Sequence, residues 1–293
     1  MKLKKLASVI LSCALAGAVF AGCGSSVTEQ KSSSTDSDKP VRVGMIAYLN
    51  ASEEVINSIM KKVDADAQKS GGKVINPRTY IYFDNLTAMQ MALGSDKIDE
   101  MSTYKSVATY MMGKEKDLAT AEDDLAVLSD NFCCAVRKDD VSLKSGIDKA
   151  IKEMKSDGTL DRLVKTYITD LKPGEEPKAV EVPKIEGADT LKIAVTGDIP
   201  PLDLVLADGK PAGFNTAVLA ELSKRLGKNV EFVSIESKAR ASALVSRRVD
   251  VVFWAAVPTD TSYRPADIDQ PDGIAVTEPY YQDNLSHLVL KKK

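Results

Sequence analysis

The residues able to do chemistry are few in this chain. His287 is the single histidine among 293 residues, so neither a histidine-built zinc site nor a histidine charge relay can form without other groups. No Cys-x-x-Cys, His-Glu-x-x-His, Gly-x-Ser-x-Gly or phosphate-cradling glycine loop occurs, which weighs against a metalloenzyme, a serine hydrolase and a nucleotide hydrolase. No metal or cofactor is therefore expected. What remains suits the holding of a small molecule. Arg264 offers a permanent charge on a planar fork of donors, matched to a carboxylate. Trp254, Tyr48 and Tyr104 offer flat faces and, in the tyrosines, hydroxyls. Thr103, Asn50 and Asp198 add short polar groups. Acid–base catalysis would need a desolvated carboxyl with a raised pKa, and Asp198 and Asp203 are the candidates at suitable strand ends.

These residues share a predicted position. Tyr48, Leu49 and Asn50 end the strand that starts at Val41, just before a helix N-terminus able to receive an anion. Thr103 and Tyr104 end the strand that starts at Ile98. Asp198 follows the strand Leu191–Val195, Trp254 and Ala255 end the strand Asp250–Phe253, and Arg264 stands in the next loop. Open parallel sheets bind ligands beyond the carboxyl ends of their strands. The chain also repeats itself: Val41-Arg42-Val43-Gly44-Met45 returns as Leu191-Lys192-Ile193-Ala194-Val195, 150 positions later, and Ala92–Asp99 returns as Ala243–Asp250, 151 positions later. The spacing predicts helices with buried stripes at Val55, Ile56, Ile59, Met60 and Val63, at Leu86, Met89 and Leu93, at Ile147, Ile151 and Met154, and at Val218, Leu219, Leu222 and Leu226. Strands alternating with helices imply an α/β fold with mainly parallel sheets. The Pro/Gly/Glu-rich stretch 172–189 reads as a linker between a lobe at 41–171 and a lobe at 190–293.

The chain is 44% hydrophobic and 28% charged with a net charge of −3. That supports a folded core and disfavours nucleic acid as a partner. Residues 1–22 read as an export signal: Lys2, Lys4 and Lys5 precede a run of about fifteen mostly apolar residues, short for a membrane span. Phe20-Ala21-Gly22-Cys23 resembles the lipobox of bacterial lipoproteins, which implies a lipid on Cys23, and the polar stretch 23–40 reads as a flexible tether. Cys133 and Cys134 are then the cysteines left to the folded part, read as two small buried residues, with a strained vicinal disulfide as the alternative.

The second half resembles the first lobe of bacterial extracellular solute-binding proteins of family 3, through Pro200-Pro201, Gly213-Phe214-Asn215, Val249-Asp250 and Glu278-Pro279-Tyr280-Tyr281. The first half resembles that family's second lobe, through Phe83-Asp84, Ile98-Asp99, Ala135-Val136-Arg137-Lys138 and Asp157-Gly158-Thr159-Leu160. The lobes run in the opposite order to the family's, as in a circular permutant. The resemblance implies a two-lobed periplasmic-binding-protein-like fold of type II. It implies a monomeric, lipid-anchored, non-enzymatic receptor outside the cytoplasm, which hands a small polar solute, amino-acid-like or another organic anion, to the permease of an ABC importer. It implies Arg264 as the group that grips a ligand carboxylate. The family's usual threonine, acidic residue and Gly-Thr-Thr run read here as Val257, Tyr104 and Tyr48-Leu49-Asn50, so ordinary L-amino acids are not the expected ligands. The alternatives are a partner-binding lipoprotein that no longer binds a ligand, and an enzyme resembling cyclohexadienyl dehydratases.

Overall fold

The computed structural model describes residues 39–47, 49, 53–69, 78–121, 128–261 and 264–291. The export signal, Cys23 and the tether up to residue 38 lie outside the described residues, as do Tyr48 and Asn50 and the side chains of Val55, Met60 and Val63.

The repeat is real at the level of elements. In the first half, β1 (Val41–Ile46), α1 (Glu53–Lys69), β2 (Arg78–Phe83), α2 (Leu86–Gly94) and β3 (Glu100–Tyr104) follow one another. Then come α3 (Lys105–Lys114), β4 (Leu118–Thr120), β5 (Ser129–Arg137), α4 (Val141–Ser156) and α5 (Thr159–Val164). The second half opens with β6 (Thr190–Val195) and a small antiparallel sheet of β7 (Asp198–Ile199), β8 (Asp203–Val205) and β9 (Pro211–Ala212). It continues through α6 (Phe214–Leu226), β10 (Asn229–Ser234), α7 (Arg240–Val245), β11 (Val251–Pro258) and β12 (Ile274–Leu290). β1 lies between β2 and β3, and β6 lies between β10 and β11, all parallel. Each half thus builds one three-stranded parallel wing of the same order.

The wings join through an antiparallel centre. The hydrogen-bonded path runs β10-β6-β11-β5-β12-β3-β1-β2, with β4 beside β12. β5 is antiparallel to both β11 and β12, and β12 is antiparallel to β3. The strands at Val41 and Leu191 lie in separate parallel wings, linked only through β5 and β12. Single strands cross the linear division at 171 and 190: β5, from the first half, pairs with β11 of the second, and the end of β12 pairs with β3 and β4 of the first. The cause is the length of β12. Its 17 residues serve both wings, and the register shifts on either side of Pro279, a residue with no N–H to give to a ladder.

The buried faces follow the predicted stripes. Leu86, Met89 and Leu93 of α2 are buried, as are Ile147, Ile151 and Met154 of α4 and Val218, Leu219 and Leu222 of α6. α6 ends at Gly227 in the left-handed conformation, a common helix stop. β11 is buried along nearly its whole length, as a strand covered on both faces must be. Cys133 and Cys134 are buried free thiols, and burial pushes Cys133 up to about 12. His287 is buried opposite Ser102, with Nδ1 3.0 Å from Glu100 Oε2. The linker is docked on the fold. Asn229 accepts from Ile185 N at 2.7 Å and donates to the carbonyls of Ile185 and Ala188. At Gly113 a Cβ would stand 2.1 Å from the backbone of Pro173 and Gly174, so α3 meets the linker backbone to backbone.

Candidate functional site

Parallel pairing places the ends of β1 and β3 on one side of a cavity, with residues of the second half opposite. Met45, Ile46 and Ala47 at the end of β1 and Ser102, Thr103 and Tyr104 at the end of β3 line the first side, with Leu86 and Leu285. Ile199, Arg240, Trp254 and Asp269 line the other. The cavity holds ≈ 50 Å³.

The cavity exists because β11 outruns its parallel neighbour. β11 pairs with β6 only at Val251 and Val252, yet pairs with β5 as far as Pro258, with a register shift between Phe253 and Ala255. Trp254 therefore sits within a strand longer than expected, at its irregular point. Backbone groups beyond Val252 need other partners, because a buried unpaired peptide group is costly. Two charged side chains supply them. Arg240 Nη1 donates to Trp254 O at 3.2 Å and Nη2 donates to Ala47 O at 3.4 Å. Asp269 Oδ2 accepts from Ala256 N at 2.8 Å, and Oδ1 accepts from Leu49 N. A cation and an anion from the second half thus each bridge the end of β1 to the edge of β11. Burial lowers Arg240, against the pull of nearby Asp269, and burial raises Asp269 to about 7.

An aromatic group closes one wall. Trp254 stacks on Phe132, with centroids 4.7 Å apart and planes 4° from parallel. Tyr104 meets both rings edge-on. Its hydroxyl donates to Asp130 Oδ2 at 2.9 Å, and Asp130 Oδ1 lies 2.7 Å from Arg264 Nη2, with both side chains at most 2% exposed.

The expected site residues separate on this geometry. Trp254, Tyr104 and Thr103 line the cavity. Tyr48 and Asn50 lie outside the described residues. Three others lie away from the cavity. Arg264 does not line the cavity; its guanidinium is spent on Asp130 and on Ser129 O. Ala255 packs into the core with Leu49, Ala135 and Ala194, because neighbouring strand positions face opposite ways. Asp198 reaches the first turn of α2, accepting from Thr87 N at 3.2 Å, where a helix terminus has unpaired N–H groups; burial raises it. Asp203, the other carboxylate weighed for acid–base work, is raised to about 6 by burial but accepts from Thr196 N and Oγ1 and does not line the cavity. Arg240 and Asp269 were not anticipated. The repeat carried a signal for the first: 151 positions before Arg240 stands Met89, which is fully buried.

Further contacts cross between the halves beside the cavity. Lys238 Nζ pairs with Glu53 Oε1 at 2.9 Å, and Ser237 N donates to Asp84 O at 3.1 Å. The site is therefore one in which two wings meet over a small, partly charged space.

Residues 191–293 match the family model of bacterial extracellular solute-binding proteins, family 3. No curated protein matches the chain. Among solved structures, the ligand-binding component of an ABC-type import system from Staphylococcus aureus, with zinc bound, is similar at 10% identity and TM-score 0.42, over 86% of this chain and 66% of that one; this chain thus spans just under two thirds of its length. The GluR0 ligand-binding core in complex with L-glutamate is similar at 12% identity and TM-score 0.36, over 87% and 86% of the two chains. An ancestral arginine-binding protein bound to arginine is similar at 16% identity and TM-score 0.37, over 86% and 84%.

Proposed function

We propose that this chain is a lipid-anchored extracytoplasmic receptor that captures a small polar solute and delivers it to an ABC importer. One observation carries the reading: the cavity is built jointly by the two wings, at the ends of β1 and β3 and the open edge of β11. A solute touching both walls favours the closed arrangement by its differential affinity, and a closed form is a state that a permease can recognise. The family match of residues 191–293 supports the receptor class, and the lipobox-like segment ending at Cys23 supports the anchor.

A thermal-shift screen of the purified protein against small polar solutes tests the reading. A true solute at 100 times its dissociation constant stabilises the folded state by about 2.7 kcal/mol. If no solute stabilises the protein at millimolar concentration, the receptor reading fails. The second reading, a lipoprotein that binds only a protein partner, would then stand, favoured by the small volume of the cavity. Replacing Cys23→Ser tests the anchor separately: the variant should move to the soluble fraction, and retention at the membrane would contradict lipidation there.

A further inference from the structure

Arg240 is a buried cation with no carboxylate in ion-pair contact, though Asp269 acts on it from farther off and the Trp254 ring lies 6.0 Å from its guanidinium. Its side chain is 2% exposed, and no carboxylate of the described residues lies within ion-pair distance of it. Its two terminal nitrogens are spent on the carbonyls of Trp254 and Ala47, while Nε is buried and makes no hydrogen bond. An uncompensated buried charge costs several kcal/mol, and an unsatisfied donor adds to it. Arg264, by contrast, is neutralised by Asp130 at 2.7 Å. Of these two buried arginines, Arg240 borders the cavity.

The rest of the lining narrows the ligand. Asp269 is the other charged group facing the cavity. Both of its oxygens already accept a backbone N–H, one from each half, and burial favours its neutral form. It is poorly suited to pair with a ligand ammonium. Ser102 and Thr103 place short hydroxyl side chains on the opposite wall. The cavity's ≈ 50 Å³, at roughly 10–15 Å³ per water-sized group, takes about three to five non-hydrogen atoms.

We infer that the solute of this cavity is a small oxyanion without an ammonium group, of carboxylate type, and that Arg240 is the cation that holds it. This rests on the receptor reading above and names the chemistry of that site. The anion supplies the missing counter-charge and the acceptor for Nε. Asp269, Asp130, Asp203 and Tyr104 are the acidic groups around Arg240 and Asp269, so an added anion raises Asp269 further, and binding takes up a proton near neutral pH.

Three probes of nearly equal size separate the possibilities: acetate, its neutral analogue acetamide, and the zwitterion glycine. Each is titrated calorimetrically into the full chain at pH 6. Acetate should bind at least tenfold more tightly than the other two. Arg240→Met should weaken acetate binding tenfold or more; it removes a buried charge but also strands the carbonyls of Trp254 and Ala47, so its ligand-free melting is measured beside the binding. Should Arg240→Met fail to fold, Arg240→Lys keeps the charge, lacks the guanidinium geometry, and should also weaken acetate. Glycine or acetamide binding as tightly as acetate overturns the inference, as does acetate binding that ignores both substitutions. If no probe binds while the wider screen finds a stabilising solute of another class, the inference fails and the receptor reading stands. If the screen also finds none, both fail.

Discussion

Asp269→Asn should convert a pH-dependent weakness into a pH-independent one. The carboxyl is fully buried and rises from 3.8 to about 7 in the fold. For an acid this means that ionisation disfavours the folded state. The contribution is absent below about pH 4, grows as pH rises towards 7, and levels off above. A shift of about three units, at ~1.36 kcal/mol each, amounts to about 4 kcal/mol at full extent, of which about 3 kcal/mol develops between pH 5 and pH 8. Asparagine has one acceptor oxygen, so either the Leu49 or the Ala256 amide loses its partner, at a cost of about 1–3 kcal/mol at every pH. Relative to the unaltered protein the variant should therefore gain about 3 kcal/mol between pH 5 and pH 8, ending equal or better at pH 8. Urea unfolding at half-unit pH intervals measures this directly. Asp203, raised in the same direction, contributes equally to both proteins and cancels in the difference. Two unfolding profiles that stay parallel from pH 5 to 8 would refute the placement of Asp269.

Two further outcomes follow from buried groups. Asp130→Asn strands the Arg264 guanidinium and weakens the bond from Tyr104, and should cost about 3–5 kcal/mol; replacing Arg264→Met and Asp130→Leu together should cost clearly less than Asp130→Asn alone, and a larger loss would show that the pair acts as more than a neutralised charge. Cys133 and Cys134 should resist a thiol reagent in the folded protein and react only on unfolding, as mass spectrometry of labelled peptides would show; rapid native labelling would contradict their burial.

The parts of this fold that were legible are those set by local pattern. The repeat, the buried stripes of α2, α4 and α6 apart from half-buried Leu226, and the strand starts at Val41 and Leu191 depend on period and spacing, and these appear where expected. The exchange of strands between the halves was not legible, because β5 and β12 find partners far away in sequence, and nothing local announces that a strand will serve two wings. The site divided along the same line. Trp254, Tyr104 and Thr103 were found by their position near strand ends. Arg264 was singled out for its charge, but its partner Asp130 lies on β5, and only the pairing of β5 with β11 brings them together. Arg240 was passed over because a charged residue beside Lys238 and Ala239 reads as solvated helix surface. Asp269 stands in the Pro-rich stretch Pro265–Pro271, which reads as an exposed loop, and only the reach of β11 past Val252 gives it backbone amides to accept from.

The central claim is that a small solute is enclosed between the wings, against Trp254. Trp254 is the one tryptophan in the chain, so its emission reports on that wall alone. Titration with any solute that stabilises the protein should change Trp254 emission saturably, with the dissociation constant found by calorimetry, and should reduce quenching by iodide. Calorimetric binding of such a solute that leaves both the emission and the quenching of Trp254 unaltered would place the binding site elsewhere and contradict the account.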